Sequence, residues 1–251
     1  MYKGFYDLTS AMLTQTRNLD VIGNNMSNTV TTGYKADRYA DTTFDEVMRS
    51  RVGNKQKAPQ ALGTTTSYIT ALDEVYTDHS QGGLEQTGLP FDFAIEGEGY
   101  FAVQSASGRV YTRNGSFMLD DQGYLYLAGQ GRVLGQNGQP IYLGTDHITA
   151  LTDGTIMGPD GRVLGALGVF AFADPAQTLE KTGEGMFTAN TQPQAAGNRI
   201  IHHKMIERSN IDLVQQMTEM MTCQRALQSS SQLSKMYDQL MTKTSTELGR
   251  V

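Results

Sequence analysis

Apolar side chains recur near the start of the chain in steps of three and four, at Phe5, Leu8, Met12, Leu19, Ile22 and Met26, with Gln15 the polar member of the series. This is the heptad rhythm of an α-helix with a narrow contact seam. A second stretch, Ser209 to Leu248, contains neither Gly nor Pro; its apolar positions Leu213, Met217, Met220 and Leu227 step by three, four or seven. The seam then slips and resumes at Leu233, Met236 and Leu240. The pattern predicts two long helices at opposite ends of the sequence. Each stripe is too narrow to hold a helix alone in water, so each helix needs a partner.

The middle of the chain follows a different rule. Short alternating or apolar runs (FDFAI, YFAV, RVYTR, YLYLA, LGVFAFA) are punctuated by Gly, Asn and Asp, which predicts a domain of β-hairpins and meanders. Gly-Arg-Val occurs three times, at 108–110, 131–133 and 161–163, with unequal separations. Recurring turn-to-strand chemistry explains this better than a solenoid does. Between the first helix and the β-rich part, FDEVMRSRVG is polar and KQKAPQALGTTTS loop-like, so the stretch reads as a connector. The expected class is α+β: a helix over 1–35, a connector over 36–76, a β-rich domain over 77–200 and a second helix over 201–251.

Composition narrows the chemistry. In 251 residues, Lys plus Arg number 20 and Asp plus Glu 26, giving 20 − 26 = −6. No basic cluster interrupts that acidic balance, which argues against a nucleic-acid partner. The single cysteine, Cys223, excludes an intrachain disulfide and any metal site built on paired thiolates; inside a helical pattern it reads as a small buried apolar group. MYKGFYDLTSAML lacks an apolar core of signal-peptide length, and nowhere do about 18 apolar residues run together. The expectation is a chain that neither uses the general secretory route nor inserts into a membrane.

AIEGEGYFAV, residues 94–103, comes close to the glycine pattern of a dinucleotide site. That pattern works only when the glycines leave a strand and open a helix, and here strand-forming Tyr100-Phe101-Ala102-Val103 follows. Glu98 would also put a carboxylate where phosphate should sit. The stretch therefore reads as a turn, as does Gly129-Gln130-Gly131, and no cofactor is expected. Four histidines, His79, His147, His202 and His203, include one adjacent pair, a poor chelating geometry. Asp92 and Glu96 lie four apart, but no nucleophile, metal ligand or basic group marks them as catalytic. The chain is not expected to be an enzyme.

The densest polar signal is NNMSNTVTTGYK, residues 24–35. Asn24 and Asn28 share a helix face, where buried amides fix register across an interface; equally, they are residues tolerated at a helix end that stops at Gly33.

Three motifs together resemble the flagellar basal-body rod and hook protein family of bacteria: LDVIGNNMSNTVTTGYK at 19–35, TGLPFDFAIEGEGYFAVQ with YTRNGSFMLDDQGYL within 87–125, and SNIDLVQQMTEMMTCQRALQSSSQLSKMYDQLM at 209–241. The resemblance implies that the terminal helices form an inner coiled-coil domain beneath an outer β domain. It further implies that copies stack helically into a hollow axial tube. The partners it implies are copies of this chain, other rod and hook subunits, and the flagellar type III export apparatus. The implied location is the basal body outside the cytoplasmic membrane. Asn24, Asn25, Asn28, Thr32, Gly33 and Tyr34 fall on the family's N-terminal signature, and Gln224 and Arg225 on its C-terminal one, with subunit packing as their implied role. Cys223 and the polar Ser229-Ser230-Ser231 run depart from it. Hook subunits are usually longer, which favours a rod subunit over a hook-type one. The competing reading is a soluble β-domain binding module whose two helices form an intramolecular hairpin.

Overall fold

The computed structural model describes residues 2–43, 50–53, 56–61, 70–106, 108–183, 185–195 and 199–248; for 2–7, 41–43, 50–53, 56–61, 70–74, 195 and 247–248 the backbone alone is described. The protein is α+β, with a helix at each end and a β-rich middle. Helix α1 spans Tyr2–Ser27, α2 is a single turn at Pro175–Thr178, and α3 spans Leu213–Leu248. At about 1.5 Å per residue, α3 extends roughly 54 Å. Two compact units divide the chain: Met1–Asn24 with Arg38–Tyr76 and Val214–Val251, and Asn25–Asp37 with Thr77–Leu213.

In the helical unit, Gln216, Met220, the buried Cys223, Leu227, Ser230, Ser234, Tyr237 and Met241 of α3 form a face that steps by four and three, all but Cys223 half-buried, with Glu219 and Ser231 half-buried beside it. On α1, Ile22 and Thr14 are buried, while Leu8, Met12, Leu19 and Met26 are half-buried. Asn18 of α1 donates its amide to the Cys223 sulfur at 3.3 Å. Part of the connector runs as strands Asp37–Thr43 and Thr70–Thr77, which pair, and Ser50–Gly53 with Gln56–Ala61, which also pair; its remaining residues lie outside those described.

The β unit is built on a nine-stranded sheet. Its antiparallel path runs Leu179–Gly183, Met186–Ala189, Gly108–Thr112, Tyr100–Ser105, Gly131–Val133, Leu125–Leu127, Met118–Leu119; Val169–Ala171 also pairs with Tyr100–Ser105, and Gln194–Ala195 pairs with Val169–Ala171. Successive residues of a strand face opposite ways. Phe101 and Val103 therefore enter the main core, with Phe93, Ile95, Leu125, Val133, Ile156, Leu167 and Ile201, whereas Tyr100 and Ala102 enter a second cluster with Tyr111, Phe172 and Phe187. A strand buried on both faces explains why YFAV reads as an unbroken apolar run.

The Gly-Glu-Gly stretch joins strands Phe93–Glu96 and Tyr100–Ser105, with Gly97 and Gly99 at φ 97° and 139°. It is a turn between strands, as its sequence indicates. Each Gly-Arg-Val likewise carries the chain from a positive-φ glycine into a strand. The stretch 201–212, expected to be helical, is not. Ile200–His203 pairs with Phe93–Glu96 and Met205–Glu207 with Leu84–Gln86, because burying Ile201 in the main core and filling those strand edges outweigh local helix preference. Similarly α1 stops at Ser27, eight residues before the expected 35.

Candidate functional site

The segment after α1 folds back through its own polar groups. Asn25, 2% exposed, spends both amide atoms on the Asp37 backbone: Oδ1 accepts from its N–H at 3.0 Å and Nδ2 donates to its carbonyl at 2.7 Å. Asn28 Oδ1 accepts from the Thr31 hydroxyl at 3.1 Å, inside the turn that leads to Gly33.

Gly33 sits at φ 67°, and a Cβ placed there would lie 2.3 Å from the Arg113 and Asn114 backbone. Only glycine combines that conformation with that approach. Its N–H donates to the Glu207 carbonyl at 2.7 Å. Tyr34 is buried, with the Lys181 ammonium 3.9 Å above its ring; Lys181 also donates to Asp37 Oδ2 at 2.8 Å and to the Lys35 carbonyl at 2.9 Å. Burial first, and Asp37 second, push the Tyr34 phenol well above its ordinary range.

Glu207 is the centre of this arrangement. Its Oε1 accepts from Lys35 Nζ at 2.6 Å and from the Gly82 N–H at 3.0 Å, and its Oε2 accepts from Arg113 Nη1 at 3.1 Å. The side chains of Lys35 and Glu207 are fully buried and that of Arg113 nearly so. Lys35 donates further to the Ser80 carbonyl at 2.7 Å, and Arg113 Nη2 to the Gly97 carbonyl at 2.8 Å. Two cations thus share one carboxylate. Burial lowers the Lys35 ammonium below its usual range, opposed by Glu207. Asn210 closes the arrangement: its Oδ1 accepts from the Ala36 N–H and its Nδ2 donates to the Asp78 carbonyl, both at 2.8 Å.

His79 lines the same region, with Nδ1 2.7 Å from the Tyr100 hydroxyl and its ring against Phe187. Burial, then the Lys35 charge, drop its pKa to about 4, and burial pushes the Tyr100 phenol up to about 12. Most of the hub's polar groups are spent on one another, Arg113 Nε being buried without a partner, and the bonds hold distant chain segments together.

The remaining titratable groups do not converge. Asp92 is buried and accepts from the Thr87 hydroxyl, while Glu96 pairs with His202 at 2.6 Å. His203 bonds the Pro90 carbonyl and stacks on Phe93, and exposed His147 lies 3.8 Å from Asp146. Among the described residues no group of three or more His, Cys, Asp and Glu could hold a metal.

The residues assigned to subunit packing separate into two kinds. Asn25, Gly33 and Tyr34 are used inside the chain, in the hub. Leu213, Met217, Leu233 and Leu240 on α3 are exposed by 43%, 50%, 49% and 62%, Asn24, Gln224 and Arg225 are exposed too, and Met220 and Leu227 are half-buried. Thr32 is half-buried, and the Phe5 side chain lies outside the described residues. Sequence reasoning missed Lys35, His79, Arg113, Lys181, Glu207 and Asn210, because charges that meet across 172 residues leave no local pattern.

Comparison with known proteins accounts for nearly the whole chain. Residues 5–35 match the model of flagella basal body rod proteins, 94–164 that of the flagellar hook protein FlgE/F/G D1 domain, and 202–247 that of the flagellar basal body rod FlgEFG C-terminal region. The flagellar basal-body rod protein FlgG of Bacillus subtilis is 31% identical, over 96% of this chain and 97% of its own length. The hook-basal body complex protein FlhO of the same organism and the rod protein FlgF of Caulobacter vibrioides are each 29% identical, over the full length of both chains. Similarity of this extent, with the three family matches falling in order along the chain, means that the chain belongs to the flagellar basal-body rod protein family.

Proposed function

We propose that the chain is a structural subunit of the bacterial flagellar rod. In this reading α1 and α3 pair as a coiled coil and polymerise helically with copies of the chain into the hollow axial drive shaft. Other rod and hook subunits adjoin it, and the flagellar type III export apparatus delivers it beyond the cytoplasmic membrane. The observation that carries the reading is the surface of α3, where Leu213, Met217, Leu233, Met236 and Leu240 are each at least 43% exposed. Burying such a side chain fully yields roughly 1.5–3 kcal/mol, so a row of them on one helix favours contact with further protein. Asn24, Gln224 and Arg225 supply polar contacts in the same interfaces, and Asn25, Gly33 and Tyr34 hold the segment that follows α1 in its folded path. No step requires catalysis.

The test is deletion of the gene in its host, with electron microscopy of isolated basal bodies. Rods that stop short, with no hook beyond them, are expected. Complete rods, hooks and filaments would overturn the reading and leave the soluble binding module in its place.

A further inference from the structure

Asparagine is followed by glycine at two places in the chain, Asn114-Gly115 and Asn137-Gly138. Such a pair is reactive in its own right. With no side chain on the second residue, its backbone nitrogen can swing onto the asparagine Cγ and close a five-membered imide. Closure requires the backbone at the asparagine to turn, so the surroundings of each pair decide whether it occurs.

Asn114 is held on every side. Its N–H donates to Thr112 Oγ1 and its Oδ1 accepts from the Ser116 N–H, both at 3.0 Å. Gly115 is buried, its carbonyl accepts from the Phe93 and Phe117 N–H groups at 3.0 and 3.1 Å, and a Cβ on it would collide with the Phe93 carbonyl. Gly33 presses on the same backbone from the hub. Asn137 is exposed at the tip of a turn whose base is fixed, by the Gly135 N–H on the Gln139 carbonyl at 2.8 Å and the Gln136 N–H on the Ala166 carbonyl at 3.2 Å. Its Oδ1 accepts from the Gln139 N–H at 3.1 Å, which folds the side chain over the turn and draws electron density from Cγ. A single bond, to the Gly135 carbonyl at 2.9 Å, holds the attacking Gly138 nitrogen. Around Gly138, at φ 74°, a Cβ would meet only Arg109 Nη2, at 3.4 Å.

We infer that Asn137 is a site of spontaneous deamidation in the folded protein and that Asn114 is not. The Gly138 nitrogen gives up its proton to solvent and bonds to Cγ of Asn137; the Cγ–Nδ2 bond breaks and Nδ2 leaves, protonated, as ammonia. Water then opens the imide. Cleavage at the Cγ–N bond restores the peptide and leaves aspartate; cleavage at the backbone carbonyl leaves isoaspartate, with the chain running through the side chain. Nothing is oxidised or reduced, and water is the one co-reactant. Either product puts a carboxylate beside the Arg109 guanidinium and takes the formal net charge from −6 to −6 − 1 = −7. The charge of this turn therefore records the time since the copy was made.

The experiment incubates the full chain in mildly alkaline buffer, folded and in urea, and follows both pairs by peptide mapping in a mass spectrometer, with released ammonia measured alongside. In the folded chain Asn137 is expected to convert at least about tenfold faster than Asn114, because a surface turn opens far more often than a packed segment, and in urea the two rates should come together. The folded Asn137→Gln variant, whose longer side chain closes its ring poorly, should release little ammonia. Equal rates at the two pairs in the folded chain would overturn the inference. So would an Asn137 amide that survives folding conditions for as long as urea takes to convert both, or an Asn137→Gln variant that releases ammonia as fast as the parent.

Discussion

Lys35 and Glu207 meet at 2.6 Å with neither side chain exposed, although 172 residues of chain separate them. Arg113 reaches the other oxygen of the same carboxylate, so the three charges are unequal in consequence. Removing Lys35 leaves one cation on one carboxylate; removing Glu207 leaves two buried cations facing each other.

Breaking a buried pair by deleting one partner costs about 3–5 kcal/mol. Glu207→Gln should fall at or above the top of that range and Lys35→Met below it. Urea unfolding followed by far-ultraviolet circular dichroism measures both. Equal losses would show that the two cations do not compete for the carboxylate.

Gly33 and Lys204 give a paired backbone test. Gly33→Ala forces a Cβ to 2.3 Å from backbone at φ 67°, and conformational strain plus overpacking together should cost about 2–5 kcal/mol. Lys204, exposed at φ 62°, is the one described non-glycine residue in that conformation. Lys204→Gly should leave stability unchanged or raise it by up to about 1 kcal/mol. Thermal unfolding of the two variants compares them directly.

His79 sets a pH dependence. Its folded pKa, about 4, lies below the ordinary 6.5, so between those values the unfolded chain holds the extra proton and the folded chain does not. Stability is therefore greatest above about pH 6.5, falls as pH drops toward 4 and levels off below. Since the imidazole is only partly buried, screening holds the loss to about 1–3 kcal/mol. His79→Gln should flatten the slope of the urea midpoint against pH over this window.

Cys223 is 7% exposed, accepts a hydrogen bond from Asn18, and has its thiol pushed up by burial and then by Glu219. Ellman's reagent at neutral pH should label it roughly tenfold or more slowly in the native protein than in urea. Equal rates would show that the two helices separate freely in the monomer.

What the sequence reveals here follows from the range of each interaction. The two helices, the strand-rich middle and the Gly-Glu-Gly turn rest on periodicity or on glycine chemistry, which neighbouring residues suffice to set. The strands at Ile200–His203 and Met205–Glu207 do not: IIHHKMIER is compatible with a helix until Phe93–Glu96 and Leu84–Gln86 offer it edges. The hub around Glu207 is less legible still, since a buried carboxylate is tolerable only when its partners arrive from elsewhere in the chain. In α3 the apolar rhythm breaks between Leu227 and Leu233, yet the face that holds Cys223 continues across the break through Ser230 and Ser234, polar residues that an apolar pattern does not flag.

The bond between the Gly33 N–H and the Glu207 carbonyl, with Asn210 on Ala36 beside it, fastens the point where the chain enters the β unit to the point where it leaves. Any hairpin beyond that fastening can be lengthened, trimmed or exchanged while the entry and exit stay a fixed distance apart. Such a fastening lets the far end of the β unit change in length while the place where the chain leaves it stays fixed relative to the place where it enters.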